Sequence, residues 1–574
     1  MARFVLCVVL SGFTVAAAAD WIERSDAHAL EVLNTLAKFQ PEAASGTGLA
    51  AYDAEILDLG AGVFERMDRA ERDLILRLEA AEADEEDPRV LQDLQILQAA
   101  LDDSLEQRAV QRQHVLPYFN VHELVFQSFR SLLDARNNPD RFQHALVRLR
   151  RYAGLDAGYD PLVDLARART RERLDTPGLV GPYIGELNNH ADAAPRYIAG
   201  VRSLFERAGL EGWEADFEVL EEQLDGYSKW LQATIVPRAR QSSMLPDAVY
   251  ANNLKNFGVH ASPETLIREA QAGYQFIRSE MKAVARQIAM QRDWEDASLL
   301  GVIRRLKSSK VPEDELLALY QSRLKEIETI IRRENIISLP DREASIRLAT
   351  EAESAAVPAS FMSPPQLIGN TGQYGEFVLV QSNPALGEAA RMDDWDHDAI
   401  TWALTVHEAR PGHELQFASL VENGTSLARA LFAFNSANVE GWGLYAEAIM
   451  HEHLPLEGQL FNLYTRLLRA ARMFLDPMVN TGLITRDDAE NFLIDQCAMS
   501  RAMASSEADR YAFRMPGQAT AYYYGYLNLM RLRTEVELAL GDGFDERAFH
   551  DFVIAQGLLP PELLRQAVLE QFQK

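Results

Sequence analysis

Apolar residues recur at three- and four-residue intervals through most of the chain between Asp20 and about Thr350. That is the spacing of one buried face on a helix of 3.6 residues per turn. In VPEDELLALYQSRLKEIETIIRREN, Pro312 suits a helix start, and Glu313, Asp314 and Glu315 suit its first turn. Leu316, Tyr320, Leu324, Ile327 and Ile331 then form one stripe. DWIERSDAHALEVLNTLAKF and PRVLQDLQILQAALDDSL carry similar stripes, and the acidic run Glu82–Asp87 reads as a solvated face or a helix junction. No fixed period repeats, which argues against a helical solenoid. The fold class is therefore expected to be mainly α.

With 574 residues, 47% of them hydrophobic, the chain can fill a large core and is long enough for more than one lobe. Its net charge of −28 excludes a compact duplex-DNA binder and disfavours an anionic membrane surface. The opening MARFVLCVVLSGFTVAAAAD has Arg3, an apolar run, and Ala17 and Ala19 before Asp20. This reads as a signal peptide over residues 1–19, with export to a periplasmic or extracellular space. The apolar run is too short for a membrane anchor. Cys497 would then be the one cysteine left, so no internal disulfide is expected. Its helical, apolar neighbourhood marks it as core rather than nucleophile.

The chemistry lies in DHDAITWALTVHEARPGHELQ, residues 396–416. Asp396 or Asp398 can cap a helix that buries Ile400, Ala403 and Leu404 and reaches His407-Glu408. An adjacent His-Glu begins the usual zinc-peptidase pair, whose second histidine comes four residues after the first. Here Pro411 stands at that place and the next histidine is His413. On a straight helix His407 and His413 would point about 240° apart. Pro411-Gly412 can break the helix and return His413 to His407. His122-Glu123 and His451-Glu452 match the same dipeptide and are expected on helix surfaces.

Before this stretch, Pro358, Pro364, Pro365 and Pro384 frame the best strand candidate, Glu376–Gln381, with a turn at Gly369, Asn370 and Gly372. It reads either as a substrate-binding edge strand or as a structural hairpin.

From about residue 350 to 570 the sequence resembles the bacterial DUF885 family, grouped with gluzincin-type metallopeptidases. His407, Glu408, Pro411, Gly412, His413 and Gln416 match the family pattern HExxPGHHxQ, with Glu414 in place of its second histidine. Residues 440–447, EGWGLYAE, resemble EGWALYAE, with Gly443 as the change. A third block begins at Arg469-Ala470, continues through Arg472 and Asp476, and carries Asn480 where the family usually has histidine. In a fourth, Pro516, Gly517, Gln518, Ala519, Tyr522 and Gly525 match in register, whereas Glu507, Arg510 and Tyr511 match only with one extra residue before Pro516.

A zinc site wants three protein ligands and an open position. His407 and His413 are the nitrogen ligands expected here. Glu440 and Glu447, seven residues apart and on nearly one helix face, are the candidates for the third. Resemblance to gluzincins selects Glu440 and leaves Glu447 to orient a histidine, with Asp476 as an outer or alternative ligand. Glu408 is expected to act as general base on metal-activated water. Tyr511, Tyr522, Tyr523 and Tyr524, with Arg510 and Arg514, are candidates to stabilise the oxyanion. The block match favours Tyr522 with Arg510. Trp442 and Tyr445 either wall a pocket or pack.

These readings converge on a large multi-helical, metallopeptidase-like fold with a cleft and a short sheet or hairpin near the active site. A helical lobe over residues 20–350 would precede a catalytic lobe over 351–574. The expected function is Zn²⁺-dependent hydrolysis of peptide bonds, with a peptide substrate and no nucleic acid or membrane partner. The alternatives are an inactive secreted peptide-binding or scaffold protein, motivated by Glu414 and Asn480, and a metal-dependent hydrolase of other amides or esters.

Overall fold

The structure is a computed structural model that describes residues 11–349, 360–370, 372–380, 394–422 and 424–573. Residues 1–10 of the expected leader, and Pro358, Gln381 and Pro384, lie outside the described residues.

The first three long helices are α1 (Ser11–Leu36), α2 (Val63–Asp84) and α3 (Pro88–His114). They bury Val32, Leu74, Leu78, Val90, Leu94 and Leu97 between them. The acidic run is the α2–α3 junction: Asp87 accepts a hydrogen bond from the Arg89 backbone at 3.0 Å and starts α3. A second core joins α4 (Val121–Leu132), α5 (Ile184–Arg207) and α6 (Glu214–Thr234) around Phe129, Phe205, Phe217 and Tyr227. His122 belongs to this core. It is buried, with its ring bonded to Ser228 Oγ at 3.0 Å, because it falls on the inward face of α4. The expectation of a surface position was wrong for His122. His451 is half-buried against Asn462, and Glu452 is exposed.

α7 (Pro263–Gln291) and α8 (Glu313–Glu334) complete the first half. α8 starts after Pro312 and buries the whole predicted stripe, Leu316, Tyr320, Leu324, Ile327 and Ile331. Three short strands follow: β1 (Ser345–Leu348), β2 (Phe361–Ser363) and β3 (Glu376–Leu379). They form one sheet in the order β1-β3-β2, with β1 parallel and β2 antiparallel to β3. The strand candidate is therefore central and not an edge. β2, which the sequence reading did not pick out, is the edge that meets the site described below.

The helices that build and enclose the site are α9 (Asp398–Glu408), α10 (His413–Glu422), α11 (Ser436–Met450), α12 (Leu456–Asn480), α13 (Arg501–Asp509) and α14 (Ala521–Leu540). Neither Asp396 nor Asp398 caps α9. His397 occupies the cap position, and Asp398, in the first turn, accepts from Arg323 Nη2 at 2.7 Å. α12 is buried on nearly every side: α7 packs along it, α9 crosses it, and α14 closes on it and on α11. The largest core draws on both sides of residue 350, joining Tyr274, Met281 and Ile288 of α7 to Phe461, Leu467 and Phe474 of α12. Cys497 lies inside this core, as expected.

Ile327 is fully buried where α8 faces α9 and α11. Ile327→Ala should cost about 2–5 kcal/mol, the range for a truncated core aliphatic that leaves a cavity. Urea denaturation followed by circular dichroism should show the midpoint falling without loss of helix at zero denaturant.

Candidate metal centre

α9 ends at Glu408 and α10 begins at His413, so the chain turns over residues 409–412. Gly412 is required there: a Cβ on it would lie 1.9 Å from the His407 carbonyl oxygen and 2.4 Å from that of Val406. The turn is tied to α11 by Trp442 Nε1, which donates to the Pro411 carbonyl at 2.9 Å. Trp442 thus packs rather than walling the pocket, and Tyr445 is also buried, its hydroxyl against His550 at 2.8 Å. The reversal brings the His407 and His413 rings to 4.7 Å between centroids, at 83° to one another.

α11 supplies the third group. Glu440 Oε2 is 3.5 Å from Nε2 of both His407 and His413. One atom from each of the three residues lies within 4.8 Å of the others. Ligand atoms on a tetrahedral zinc at about 2.1 Å are about 3.4 Å apart, so the spacing fits such an ion. The donor set, two imidazoles and a carboxylate, fits as well. Glu447, about two turns further along α11, does not join the three. It bonds His407 Nδ1 at 2.8 Å and accepts from Thr465 of α12, which leaves His407 Nε2 directed at Glu440. Gly443 lies between these carboxylates in sequence; a Cβ there would stand 2.6 Å from His407 Cε1. The one departure within the EGWGLYAE block thus makes room for the His407 ring.

Burial alone would discharge His407, yet hydrogen bonds to Glu440 and Glu447 raise it to about 9. Burial alone would also raise Glu440, but the two imidazoles hold it well below the usual carboxylate range. The two carboxylates thus favour positive charge at the imidazoles they face.

Glu408 stands beside the three without joining them. Its Oε2 accepts from the Met362 backbone at 2.9 Å, which sets the free side of β2 against the site. Together they line a pocket of about 410 Å³ whose walls include Phe361, Phe417, Phe434 and Tyr522. That volume is in the usual range for small-ligand sites.

Across the pocket, Arg510 donates from Nη2 to Tyr522 Oη at 2.8 Å. Arg510 opens a wide π turn after α13, closed by the Met515 amide on the Arg510 carbonyl at 3.0 Å. A π turn holds one more residue than an α turn. The extra residue before Pro516 in the sequence block is accommodated there.

The other tyrosine and arginine candidates are elsewhere. Tyr511 is buried and donates to Glu507 at 3.0 Å, Tyr523 packs into the α7–α12 core, Tyr524 packs at its margin, and Arg514 reaches the Ser506 carbonyl at 2.7 Å. Asp476 is no ligand: it accepts from Tyr250 Oη at 2.8 Å and the Gly517 amide at 2.9 Å, beneath the PGQ turn. Burial raises Asp476 to about 7. Of the two departures from the family pattern, Asn480 bonds Asp476 and the Tyr511 carbonyl, and Glu414 pairs with Arg410 and Arg342. Neither touches the three clustered groups.

Sequence reasoning assigned no role to Thr465, Arg469 or Arg472. The available signal was two arginines three residues apart on an apolar helix, so on one face of it.

These features define a multi-helical protein with a His–His–Glu cluster able to hold a metal ion at the floor of a pocket. Residues 41–568 match the family described as "Bacterial protein of unknown function (DUF885)", and the chain belongs to that family. The match extends through the N-terminal half, which the sequence blocks did not cover. No curated protein matches. Among solved structures, a candidate lipoprotein of unknown function from Shewanella oneidensis is similar, with 18% identity and a TM-score of 0.76 over 94% of this chain and 99% of that one. A candidate lipoprotein from Colwellia psychrerythraea is similar at 16% identity and a TM-score of 0.75, over 96% and 99%. These likenesses establish a shared fold.

Glu507 yields a pH prediction. Burial would raise it, but Arg472 and Arg510 hold its carboxylate at about 2. A depressed folded value contributes stability above the unfolded value and loses it as pH falls toward the folded one. From about 4.3 unfolded, that is roughly 3 kcal/mol, lost between about pH 4.5 and 2. Melting curves from pH 7 to pH 3 should fall more steeply for the wild type than for Glu507→Gln.

Proposed function

We propose that this protein is a zinc-dependent peptide hydrolase. The observation that carries the reading is the convergence of His407, His413 and Glu440, with Glu408 beside them but outside the ligand set. When bound, zinc supplies a Lewis acid and an acidified water. Glu408 takes a proton from the attacking water and returns it to the leaving amine as the C–N bond breaks. Glu447 holds His407 in the tautomer that presents Nε2. Tyr522, whose oxygen accepts from Arg510, directs its own hydroxyl hydrogen to the carbonyl oxygen as charge develops there. The outer edge of β2, where Glu408 holds the Met362 amide, is the side on which an extended peptide would lie.

Export is part of the same proposal. It is supported by the leader-like opening and by the likeness to two candidate lipoproteins. No helix among the described residues is long and apolar enough to cross a membrane.

Purified protein supplemented with zinc and then dialysed should retain about one ion per chain; less than about 0.1 would sink the reading. Zinc affinity by competition with a chromogenic chelator should fall about 10–100-fold in Glu447→Gln, and further in Glu440→Gln. Circular dichroism should show both variants folded. Glu408→Gln should keep the metal and lose at least about 10²-fold in turnover, because glutamine cannot accept the proton. Near-wild-type turnover in metal-replete Glu408→Gln would remove Glu408 from its role.

A further inference from the structure

The pocket wall opposite β2 carries three guanidinium groups and one carboxylate. Arg469 and Arg472 come from successive turns of α12, and Arg510 comes from the π turn after α13. Their guanidinium carbons lie 5.9, 4.7 and 5.2 Å from the centroid of the Tyr522 ring. Glu507 takes two bonds from Arg472, at 2.7 and 2.9 Å, and meets Arg510 at 3.4 Å. Both its oxygens are thereby engaged.

Arg469 has no such partner. It is 5% exposed and lines the pocket, yet it pairs with no carboxylate among the described residues. Its one hydrogen bond to them is a long one, from Nη1 to the Thr465 carbonyl at 3.4 Å, and its Nε is buried without an acceptor. The nearby Glu447 already serves His407 and Thr465. Arg469 helps to hold the Glu447 carboxylate low but makes no direct ion pair with it, and a buried guanidinium with unfilled donors is costly unless an anion completes it. That wall holds three arginines to one carboxylate, in a pocket whose lining also carries Glu408 and Glu440.

We propose that Arg469, with Arg472 and Arg510 beside it, binds a carboxylate of the substrate, which for a short peptide is its free C-terminus. The peptide identity rests on the hydrolase reading above; the carboxylate does not. A guanidinium fork matches a carboxylate in shape and charge. A pocket of about 410 Å³ is roughly 9 Å across, or two to three extended residues at about 3.5 Å each. A terminus held by the arginines therefore sets the scissile bond one or two residues from the end, and hydrolysis releases an amino acid or a dipeptide.

The test uses the zinc-loaded full chain and three matched N-acetylated peptides of neutral residues: a free acid, its C-terminal amide, and that amide with aspartate at the last position. The wild type should cleave the free acid with kcat/KM at least about 10-fold above the neutral amide. Arg469→Gln should lower kcat/KM for the free acid by about 10–100-fold, the value of one charged hydrogen bond, and change the neutral amide little. Arg469→Lys should recover part of the loss. Equal cleavage of the aspartyl amide and the free acid would uphold the carboxylate site and assign it to a side chain. Equal cleavage of all three by the wild type, a comparison that needs no variant, overturns the proposal and leaves the hydrolase reading intact. If nothing is cleaved, calorimetric binding of the free acid and the neutral amide decides. Preference for the acid, lost in Arg469→Gln, upholds the arginine site without the hydrolase. Equal binding overturns it.

Discussion

The contact between Gly412 and the carbonyl of His407 is the constraint on which the site depends. An α-helix running through residues 407–413 would send the two histidines to different sides. The turn at Pro411-Gly412 instead lays the first residue of α10 against the last turn of α9. The approach is closer than any side chain would permit. Trp442 then bonds the turn to α11, the helix that carries Glu440 and Glu447. One backbone reversal thus places two imidazoles, and one hydrogen bond registers them against the carboxylates. Local geometry and interhelical packing meet at that point.

Around this centre the fold tolerates an unusual amount of buried charge, and it does so by pairing. Arg410 sits fully buried between Glu414 and Glu328, with Arg342 on the far side of Glu414. Lys307 meets Asp394, and Arg429 meets Asp93 across the interface with α3. Such pairs do little for net stability but penalise any packing that separates them. They join parts of the chain remote in sequence, as Arg429 and Asp93 do, and so hold the helices in one arrangement. In the arginine wall of the pocket the pairing is incomplete: Arg472 and Arg510 share Glu507, and Arg469 makes no direct ion pair among the described residues.

Much of the helical framework was legible because it is local. The stripe on α8, its start after Pro312 and the acidic junction before α3 depend on near neighbours in the sequence, and all three appear as read. Cys497 was placed correctly in the core by the same reasoning. The readings that failed required knowledge of what lies opposite. The His122 dipeptide looked like surface, but α5 and α6 close over it. The strand over residues 376–379 read equally as an edge or as part of a hairpin; it pairs with β2 in the antiparallel manner of a hairpin, but β1 covers its other side, so the edge alternative fails. Asp476 looked like an outer ligand, but α12 turns it toward Tyr250 and the PGQ turn.

By itself, the sequence determined that the chain is mainly helical and that Pro411-Gly412 can break the helix bearing His407 before His413; the pairing of the HEARPGH and EGWGLYAE stretches came from the family resemblance. Periodicity, proline and glycine act through the backbone of a few adjacent residues, so their consequences are written in order along the chain. Only the tertiary structure decided that Glu440 and not Glu447 meets both imidazoles, although both lie on nearly one face of α11. It also decided that β2 faces Glu408, and that Arg469 lines the pocket with no direct carboxylate partner among the described residues. Those outcomes depend on how far one helix is shifted along another, and side-chain packing across the interface sets that shift, not spacing within either helix.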